Sequence, residues 1–366
     1  MIHDVAIGAA VDLAADAEKE PMLKRLATGV VMAFGAAIVL QTSAAAQGGS
    51  APVRFPSLEQ FEASPESLKI VEDARALVGN DLQEEYDNTC TNTGPQRAAL
   101  DRQQAGLPPI ENYTVEPTKI FDNMWFVGPT SQGAFVITTS DGLILLDTLN
   151  NTEEATDILI PSMLEAGLNP AQIKYIVLSH GHPGQTDHTG GANYLQRTYG
   201  AKVAMGKPDW DATLPAQTPE RPLANRDMDI VDGTTITVGD TTLSFALEPG
   251  HSPGSLAMFI PVTWHGESHK VMLLAGALQA PSREDFNALA HIMNDIAKPQ
   301  NVQGLLNTHP GLYQDTLADM ETIRNNPDGP NPLLYEPERA NRYWSMIVEC
   351  ARARTVALEE AAAGAL

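Results

Sequence analysis

The sequence predicts an α/β fold in which two sheets pack face to face with helices outside them. Three observations carry that prediction. From about Tyr113 onward the chain is filled with short β-type runs bounded by Gly or Asp-Gly turns. Stretches of helical periodicity divide these runs, so that the order strand, helix, strand occurs twice. Gly and Pro are frequent, at 28 and 26 of 366 residues, which suits a loop-rich sheet protein better than a helical bundle.

The chain opens with an acidic stretch, residues 1–20, ahead of a pattern that reads as an export signal. Met22-Leu23-Lys24-Arg25 is a short basic region, Leu26 to Leu40 is apolar, and Gln41 to Ala46 is a small-residue tract. Its Ala44 to Ala46 site predicts cleavage before Gln47 and translation from Met22. An uncleaved anchor is the alternative, against which the apolar run is short. Export predicts a periplasmic or secreted protein, touching the membrane only through the signal.

Residues 1–46 are thus a leader and export signal, 47–110 an N-terminal helical extension with a linker over Thr91 to Pro109, and 111–366 the main domain. In the extension, Leu68, Val71, Ala74, Leu77 and Val78 recur at helical spacing. They predict a helix around Ser64 to Glu85, capped by Ser64 with Pro65 in the first turn. In the main domain, Ile120 to Val127, Ala134 to Thr139 and Leu143 to Leu146 read as strands, with a hairpin turn at Asp141-Gly142. A helix over Thr152 to Ala166 leads to a buried strand, Ile173 to Leu178, then a helix from Thr189 to Tyr199 and a strand from Lys202 to Met205. The second block has strands at Thr234 to Val238, Thr242 to Leu247, Ser255 to Val262 and Val271 to Leu274. Helices follow at Arg283 to Ala297, Thr316 to Asn325 and Glu338 to Ala363.

Composition narrows the function. Asp and Glu number 46 against 23 Lys and Arg, a formal net charge of -23. Such a surface repels phosphate backbones, so a nucleic-acid partner is not expected. The two cysteines, Cys90 and Cys350, lie too far apart in sequence for a zinc ribbon. In an oxidising compartment they can bridge the extension to the last helix, or remain two buried thiols.

The chemistry concentrates after the buried strand, in Leu178-Ser179-His180-Gly181-His182-Pro183-Gly184-Gln185-Thr186-Asp187-His188-Thr189-Gly190-Gly191. Three imidazoles and a carboxylate within nine residues, spaced by glycine, are hard to explain by packing and are suitable metal donors. His251, in Glu248-Pro249-Gly250-His251-Ser252-Pro253-Gly254-Ser255, and His309, in Asn307-Thr308-His309-Pro310, also follow strand-like runs. His3, His265, His269 and His291 lack such context. No G-x-S-x-G elbow, Walker loop or dinucleotide-binding glycine fingerprint suggests another chemistry.

With these residues in view, the chain resembles the metallo-β-lactamase superfamily, and within it the third subclass of metallo-β-lactamases. The resemblance runs from about 113 to 355. It also rests on Phe121 to Gly128, Gly142 to Thr148, Gly250 to Ser255, Thr308 to Pro310 and Asn341 to Ala353. It implies an αββα sandwich with an N-terminal helical extension. It implies two zinc ions per chain, the first held by His180, His182 and His251, the second by Asp187, His188 and His309. Asp147 matches a carboxylate beneath the metals that supports a ligand histidine, its other reading being a turn or cap residue.

What the resemblance implies functionally is a hydrolase that cleaves a small carbonyl substrate, an amide, lactone or ester, with a metal-bridging hydroxide as nucleophile and Asp187 orienting it. The alternatives are a true β-lactamase and a non-catalytic zinc-binding protein on the same scaffold. This chain departs from the family pattern in two places. Four residues, Pro183 to Thr186, separate His182 from Asp187 where the family has one, so three must loop out. The family's A-D-S-x-S-A-P tract is here Ala275 to Pro281, with Ala277 and Gln279 in place of the two serines. Gln279 is then expected to contact substrate, and β-lactams to be turned over weakly or not at all.

Overall fold

The computed structural model describes residues 54–94, 114–276 and 278–364. The residues read as a leader and export signal, most of the expected linker and Ala277 lie outside the described residues.

Three helices begin the described chain: α1 (Leu58–Ala63), α2 (Pro65–Ala74) and α3 (Gln83–Thr89). Ser57 caps α1 in a reciprocal box with Gln60, and Ser64 caps α2, with Pro65 in its first turn. The single helix expected over Ser64 to Glu85 is interrupted. Gly79 takes a φ of +62°, and the carbonyls of Leu77 and Val78 accept from Arg342 instead of from a following turn.

A seven-stranded sheet follows, in the order β1 (Thr118–Phe121), β2 (Met124–Val127), β3 (Ala134–Thr139), β4 (Gly142–Leu146), β5 (Ile173–Leu178), β6 (Lys202–Gly206) and β7 (Met228–Ile230). The first four strands are antiparallel, and β4 to β7 run parallel. The strand expected over Ile120 to Val127 is in fact the hairpin β1–β2. Asn123 turns the chain there and bonds to the other sheet through Pro261 and Thr263. Helix α4 (residues 152–165) links β4 to β5 and contains a π turn at Ala155–Leu159. Helix α5 (Ala192–Tyr199) links β5 to β6. The short helix α6 (Lys207–Thr213) and strand β7 were not expected from periodicity.

The second sheet has the order β12 (Leu305–Leu306), β11 (Glu267–Leu274), β10 (Leu256–Trp264), β9 (Thr241–Leu247) and β8 (Thr235–Val238). Helices α7 (residues 283–297), α8 (Thr316–Asn325) and α9 (Pro337–Ala362) complete the chain. Between the sheets lies one apolar layer, with Phe121, Phe126, Phe135 and Ile144 facing Leu243, Phe245, Met258 and Leu273. A second layer packs α4 and α5 on the outside of the first sheet. A third packs α7 and α9 on the second sheet and takes in Ala74, Val78, Leu82 and Tyr86 of the extension. The architecture is helix, sheet, sheet, helix, as the pattern implied.

The extension helices share this core instead of standing apart. Phe61 and Ile70 pack on Ala353, Val356 and Ala357 of α9, and Cys90 is disulfide-bonded to Cys350 on the same helix. Of the two readings of the cysteines, the structure has the bridge. Among the described residues no helix is long and apolar enough to cross a membrane.

Candidate metal centre

The C-terminal ends of β4, β5, β9 and β12 lie at one edge of the sandwich and carry Asp147, His180, His251 and His309. The two sheets are tied there, since the Leu256 amide donates to the Ser179 carbonyl at 3.0 Å.

All six predicted donors converge. The Nε2 atom of His251 lies 3.0 Å from Nε2 of His182 and 3.1 Å from Nε2 of His180. Nε2 of His188 lies 3.3 Å from Nε2 of His309, and Oδ2 of Asp187 lies 3.9 Å from Nε2 of His180. His180, His182 and His251 form one group of donor atoms within 4.8 Å of each other, and His180, Asp187 and His188 form another. His309 joins through His188. His265 instead stacks on Trp264, His269 meets Gln303, and His291 pairs with Asp295.

The extra residues before Asp187 are absorbed by two consecutive turns. The Gln185 amide donates to the His182 carbonyl, and the Thr189 amide to the Thr186 carbonyl, both at 3.1 Å. Arg221 clamps the outside of the first turn by donating to the Gly184 carbonyl. His188 then takes a φ of +65°, an uncommon conformation for a residue with a Cβ, held by the surrounding bonds.

The ring orientations follow from what each Nδ1 meets. Asp147 is buried, with a φ of +63°. Its carboxylate accepts from the Ser179 amide at 2.6 Å, the Ser179 hydroxyl at 2.7 Å and His188 Nδ1 at 2.7 Å. Because the Ser179 hydroxyl donates to Asp147, it is left to accept from His180 Nδ1, 3.0 Å away. His309 Nδ1 donates to the Ser131 carbonyl at 2.8 Å. In His180, His188 and His309 the proton is therefore on Nδ1, and the lone pair of Nε2 points at the cluster.

Burial favours the neutral form of His180, His251 and His309. It pushes His180 well below its ordinary value, His251 down to about 3 and His309 down to about 4, and the neighbouring rings add to the effect. His182 is also lowered, first by burial, against an opposing pull from Asp187. Lone pairs of His188 and His309 facing each other at 3.3 Å repel unless a cation lies between them. Among the described residues Oδ1 of Asp187 is likewise buried without a hydrogen-bond partner. Neutral imidazoles and a carboxylate of this kind fit zinc.

A second buried aspartate, Asp209 at the start of α6, escaped the sequence reading. It accepts from the Gly181 amide at 2.8 Å, the Ser252 hydroxyl at 2.6 Å and the Gly254 amide at 2.7 Å. It thereby pins the His180–His182 loop to the His251 loop. A Cβ on Gly254 would come within 2.6 Å of the Asp209 amide nitrogen, so that contact requires glycine. Burial raises the Asp209 pKa, opposed by these three bonds. Its sequence signal was only an acid beside Pro208 in a first helical turn.

Gly276 packs directly against the His251 ring. A Cβ on Gly276 would lie 2.3 Å from the His251 ring. Gln279 is buried, its Oε1 has no partner among the described residues, and its carbonyl abuts Gly250. The tract from Ala275 to Pro281 is held from outside. Asn307 and Tyr313 donate to the Gly276 carbonyl, Arg354 to the Leu278 carbonyl and Thr355 to the Ala280 carbonyl. Asn307 also accepts from the His309 amide at 2.8 Å, linking the tract to the last histidine. None of these four supports had a sequence signal.

Comparison with known proteins agrees with this fold. The family model described as the metallo-beta-lactamase superfamily matches residues 127–263. The fold is similar to that of BJP-1, a subclass B3 metallo-beta-lactamase of Bradyrhizobium japonicum. The two are 25% identical, with a TM-score of 0.56 over 69% of this chain and 98% of that one. It is also similar to FEZ-1 from Legionella gormanii, at 18% identity and a TM-score of 0.53 over 64% and 92% of the two chains. A third similar structure is MEM-A1, a subclass B3 enzyme isolated from a soil metagenome library, at 22% identity and a TM-score of 0.52 over 69% and 99%.

Proposed function

On the premise that the chain has the metallo-β-lactamase fold and most resembles the B3 subclass, we propose that it is a two-zinc hydrolase of a small carbonyl compound: an amide, lactone or ester. His180, His182 and His251 hold one ion, and Asp187, His188 and His309 the other. The observation that carries this reading is the pair His188 and His309. Both have Nδ1 committed to an acceptor, and both turn Nε2 to the same point.

Zinc in such a site supplies water ionised near neutral pH and a Lewis acid for the substrate carbonyl. The protein's own groups do the rest. The six donors fix where the attacking water and the carbonyl meet. Oδ1 of Asp187, buried and without a hydrogen-bond partner among the described residues, would accept a hydrogen bond from a water held there and so orient it. Burial of His180, His188 and Asp147 keeps bulk solvent from that face. Gln279 offers the substrate an amide in place of a hydroxyl.

β-Lactam hydrolysis is the narrower reading, supported by the likeness to B3 enzymes along nearly their whole length. Against it stands the tract from Ala275 to Pro281, which has no serine hydroxyl. A site built around hydroxyl bonds discriminates strongly when they are missing. Export through the 22–46 signal suits a periplasmic or secreted enzyme.

Elemental analysis of protein purified without chelator should give two zinc ions per chain. The His182→Ala variant should lose one ion and most activity, a larger loss than the ~10–100-fold typical of an outer partner. Less than one ion, unrecoverable on adding zinc, would sink the two-metal reading. A chelator-controlled screen of lactones, aryl esters, amides and β-lactams identifies the substrate. Efficient turnover of a β-lactam would overturn the argument from Gln279.

A further inference from the structure

Two bonded routes join the disulfide to the metal centre. Cys90 ends α3, and its bridge to Cys350 fixes that end on α9. One turn beyond Cys350, Arg354 is buried. Its Nη1 donates to the carbonyls of Thr89 at 2.7 Å and Thr91 at 3.3 Å, the residues on either side of Cys90, and its Nη2 donates to the Leu278 carbonyl at 3.2 Å. The turn closes on the guanidinium. Gly94 takes a φ of +66°, and a Cβ there would lie 3.3 Å from Cζ of Arg354. The second route starts at Asn88, two residues before Cys90. Its side chain donates to the carbonyls of Leu312 and Tyr313 at 3.2 and 3.3 Å, and the Tyr313 hydroxyl donates to the Gly276 carbonyl at 2.7 Å.

Both routes end at His251. Gly276 lies against its ring, and the carbonyl of Gln279, the residue after Leu278, abuts Gly250. No bond to Nδ1 of His251 opposes a shift, since that atom is buried without a partner among the described residues. His188 and His309 differ. Their Nδ1 atoms are bonded to Asp147 and to the Ser131 carbonyl, neither of which belongs to these routes. Arg354 in turn depends on the bridge. Burial lowers its pKa only to about 10, so it is charged at neutral pH, and two of the three carbonyls that accept from it flank Cys90. Its Nε has no partner among the described residues. A buried charge that loses its acceptors is costly. If residues 88–91 come away from α9, the guanidinium turns toward water and the Leu278 carbonyl loses its donor. Thr355 still donates to the Ala280 carbonyl at 2.7 Å, so the tract is loosened at Gly276 and Leu278 and not released.

We propose that the Cys90–Cys350 disulfide is a redox latch on the metal centre, with Arg354 as the positioning residue that carries its state to His251. This rests on the two-zinc reading and adds regulation to it. Closing the latch forms one S–S bond. The two thiols give two electrons and two protons to the disulfide of an exchange partner, whose own S–S bond breaks and which leaves as a dithiol. Reopening is the reverse exchange with a dithiol. It begins at Cys90, which is half-buried where Cys350 is fully buried. The opened protein holds the ion at His182 and His251 more weakly and keeps the other.

The test titrates zinc against a competing chelator in three forms of the full chain: bridged, reduced with a phosphine and then blocked at both thiols, and Cys90→Ala/Cys350→Ala. The constant that disappears in His182→Ala identifies the ion at His182 and His251. In both opened forms that constant should weaken by roughly tenfold or more, the scale of an outer partner of a ligand, with the constant for His188 and His309 unchanged. Arg354→Met in the bridged protein should do the same, and Arg354→Lys should restore part of the affinity. Combining Arg354→Met with Cys90→Ala/Cys350→Ala should add little further loss, because the two act on one route. Unchanged constants, an equal fall in both, or losses that add in the combined variant would each overturn the latch. Where an opened form fails to fold, Arg354→Lys in the bridged protein decides, since it keeps the buried charge and gives up the fork. Its weakening must fall on the His251 ion alone. A bridged wild type that binds fewer than two ions sinks the two-zinc reading, whereas two ions with constants indifferent to the bridge sink the latch alone.

Discussion

Asp147 and Asp209 are both buried carboxylates at the rim of the sandwich, yet they support the cluster in different ways. Asp147 bonds directly to a ligand ring, His188, and through Ser179 also sets the tautomer of His180. Asp209 touches no ligand ring through a hydrogen bond. It takes two backbone amides and a serine hydroxyl, and so fixes the distance between two loops. One carboxylate fixes ring orientation and the other fixes loop position. The rings they support differ accordingly. His188 and His309 have Nδ1 anchored, whereas Nδ1 of His251 is buried with no partner among the described residues. The half of the cluster containing His188 is organised by bonds to its rings, and the half containing His251 by the packing of Gly276 and the grip of Asp209. Glu248 marks the contrast. It is buried with neither oxygen partnered among the described residues, and burial raises its pKa well above the ordinary value, so it supports neither half as an anion.

Exchanging each aspartate for asparagine should separate the two modes of support and give the largest effects. Asp147→Asn loses the charge that accepts from His188 Nδ1–H and leaves the Ser179 bonds mismatched. Affinity for the ion at His188 and His309 should fall by ~10–100-fold, the usual range for such partners. Asp209→Asn should mainly weaken the ion at His182 and His251 by letting their loops drift apart. Zinc titration with a competing chelator reads both constants. If the two variants weaken the same ion, the division into ring support and loop support is wrong.

A second test removes the metals. In the zinc-free protein the folded state holds His251 and His309 neutral down to about 3 and 4, while in the unfolded chain they titrate near ~6.5. Between these values the unfolded state binds more protons, so stability rises with pH. Their contribution is complete above about 6.5 and is lost as pH falls toward 4 and then 3. Denaturant melts of zinc-free protein should therefore weaken steadily below about pH 6.5, and saturating zinc should shift the onset to lower pH. A flat profile from pH 7 to 4 would mean that the apo rings are more hydrated than their burial implies, and would remove the packing half of the comparison.

What could be read from the sequence divides along the same line. The six donors announce themselves because imidazoles gathered after strand-like runs have no packing explanation, and Asp147 ends a strand pattern. The strands were legible for the same local reason. Asp209 was not, because its partners Gly181 and Gly254 are 28 and 45 residues away and nothing nearby marks it. Asn307, Tyr313 and Arg354 act on the tract behind His251 through backbone carbonyls, which every residue has, so no side-chain pattern records the pairing. The break after α2 and the hairpin at Asn123 were missed because a partner on a distant element satisfies the backbone at each.

The smallest effect is expected at the inserted turn, and it asks whether the second half of the cluster stands on its own bonds. Arg221 donates to the Gly184 carbonyl from an exposed position. If that bond held the extra residues in place, Asp187 would depend on it, and a surface clamp would be part of the second metal site. The turn has closures of its own, however, in the bonds from Gln185 to His182 and from Thr189 to Thr186. The Thr148 amide and hydroxyl both donate to the His188 carbonyl, at 2.8 and 3.0 Å, and fix the residue after Asp187 from the other side. Arg221→Ala should therefore cost no more than ~1 kcal/mol of stability, the net worth of an ordinary hydrogen bond, and leave two zinc ions bound with unchanged affinity. A tenfold loss at the second ion alone would show that Asp187 needs the clamp. Ring support from Asp147 would then be insufficient for that half, and the two halves would differ less than their bonds suggest.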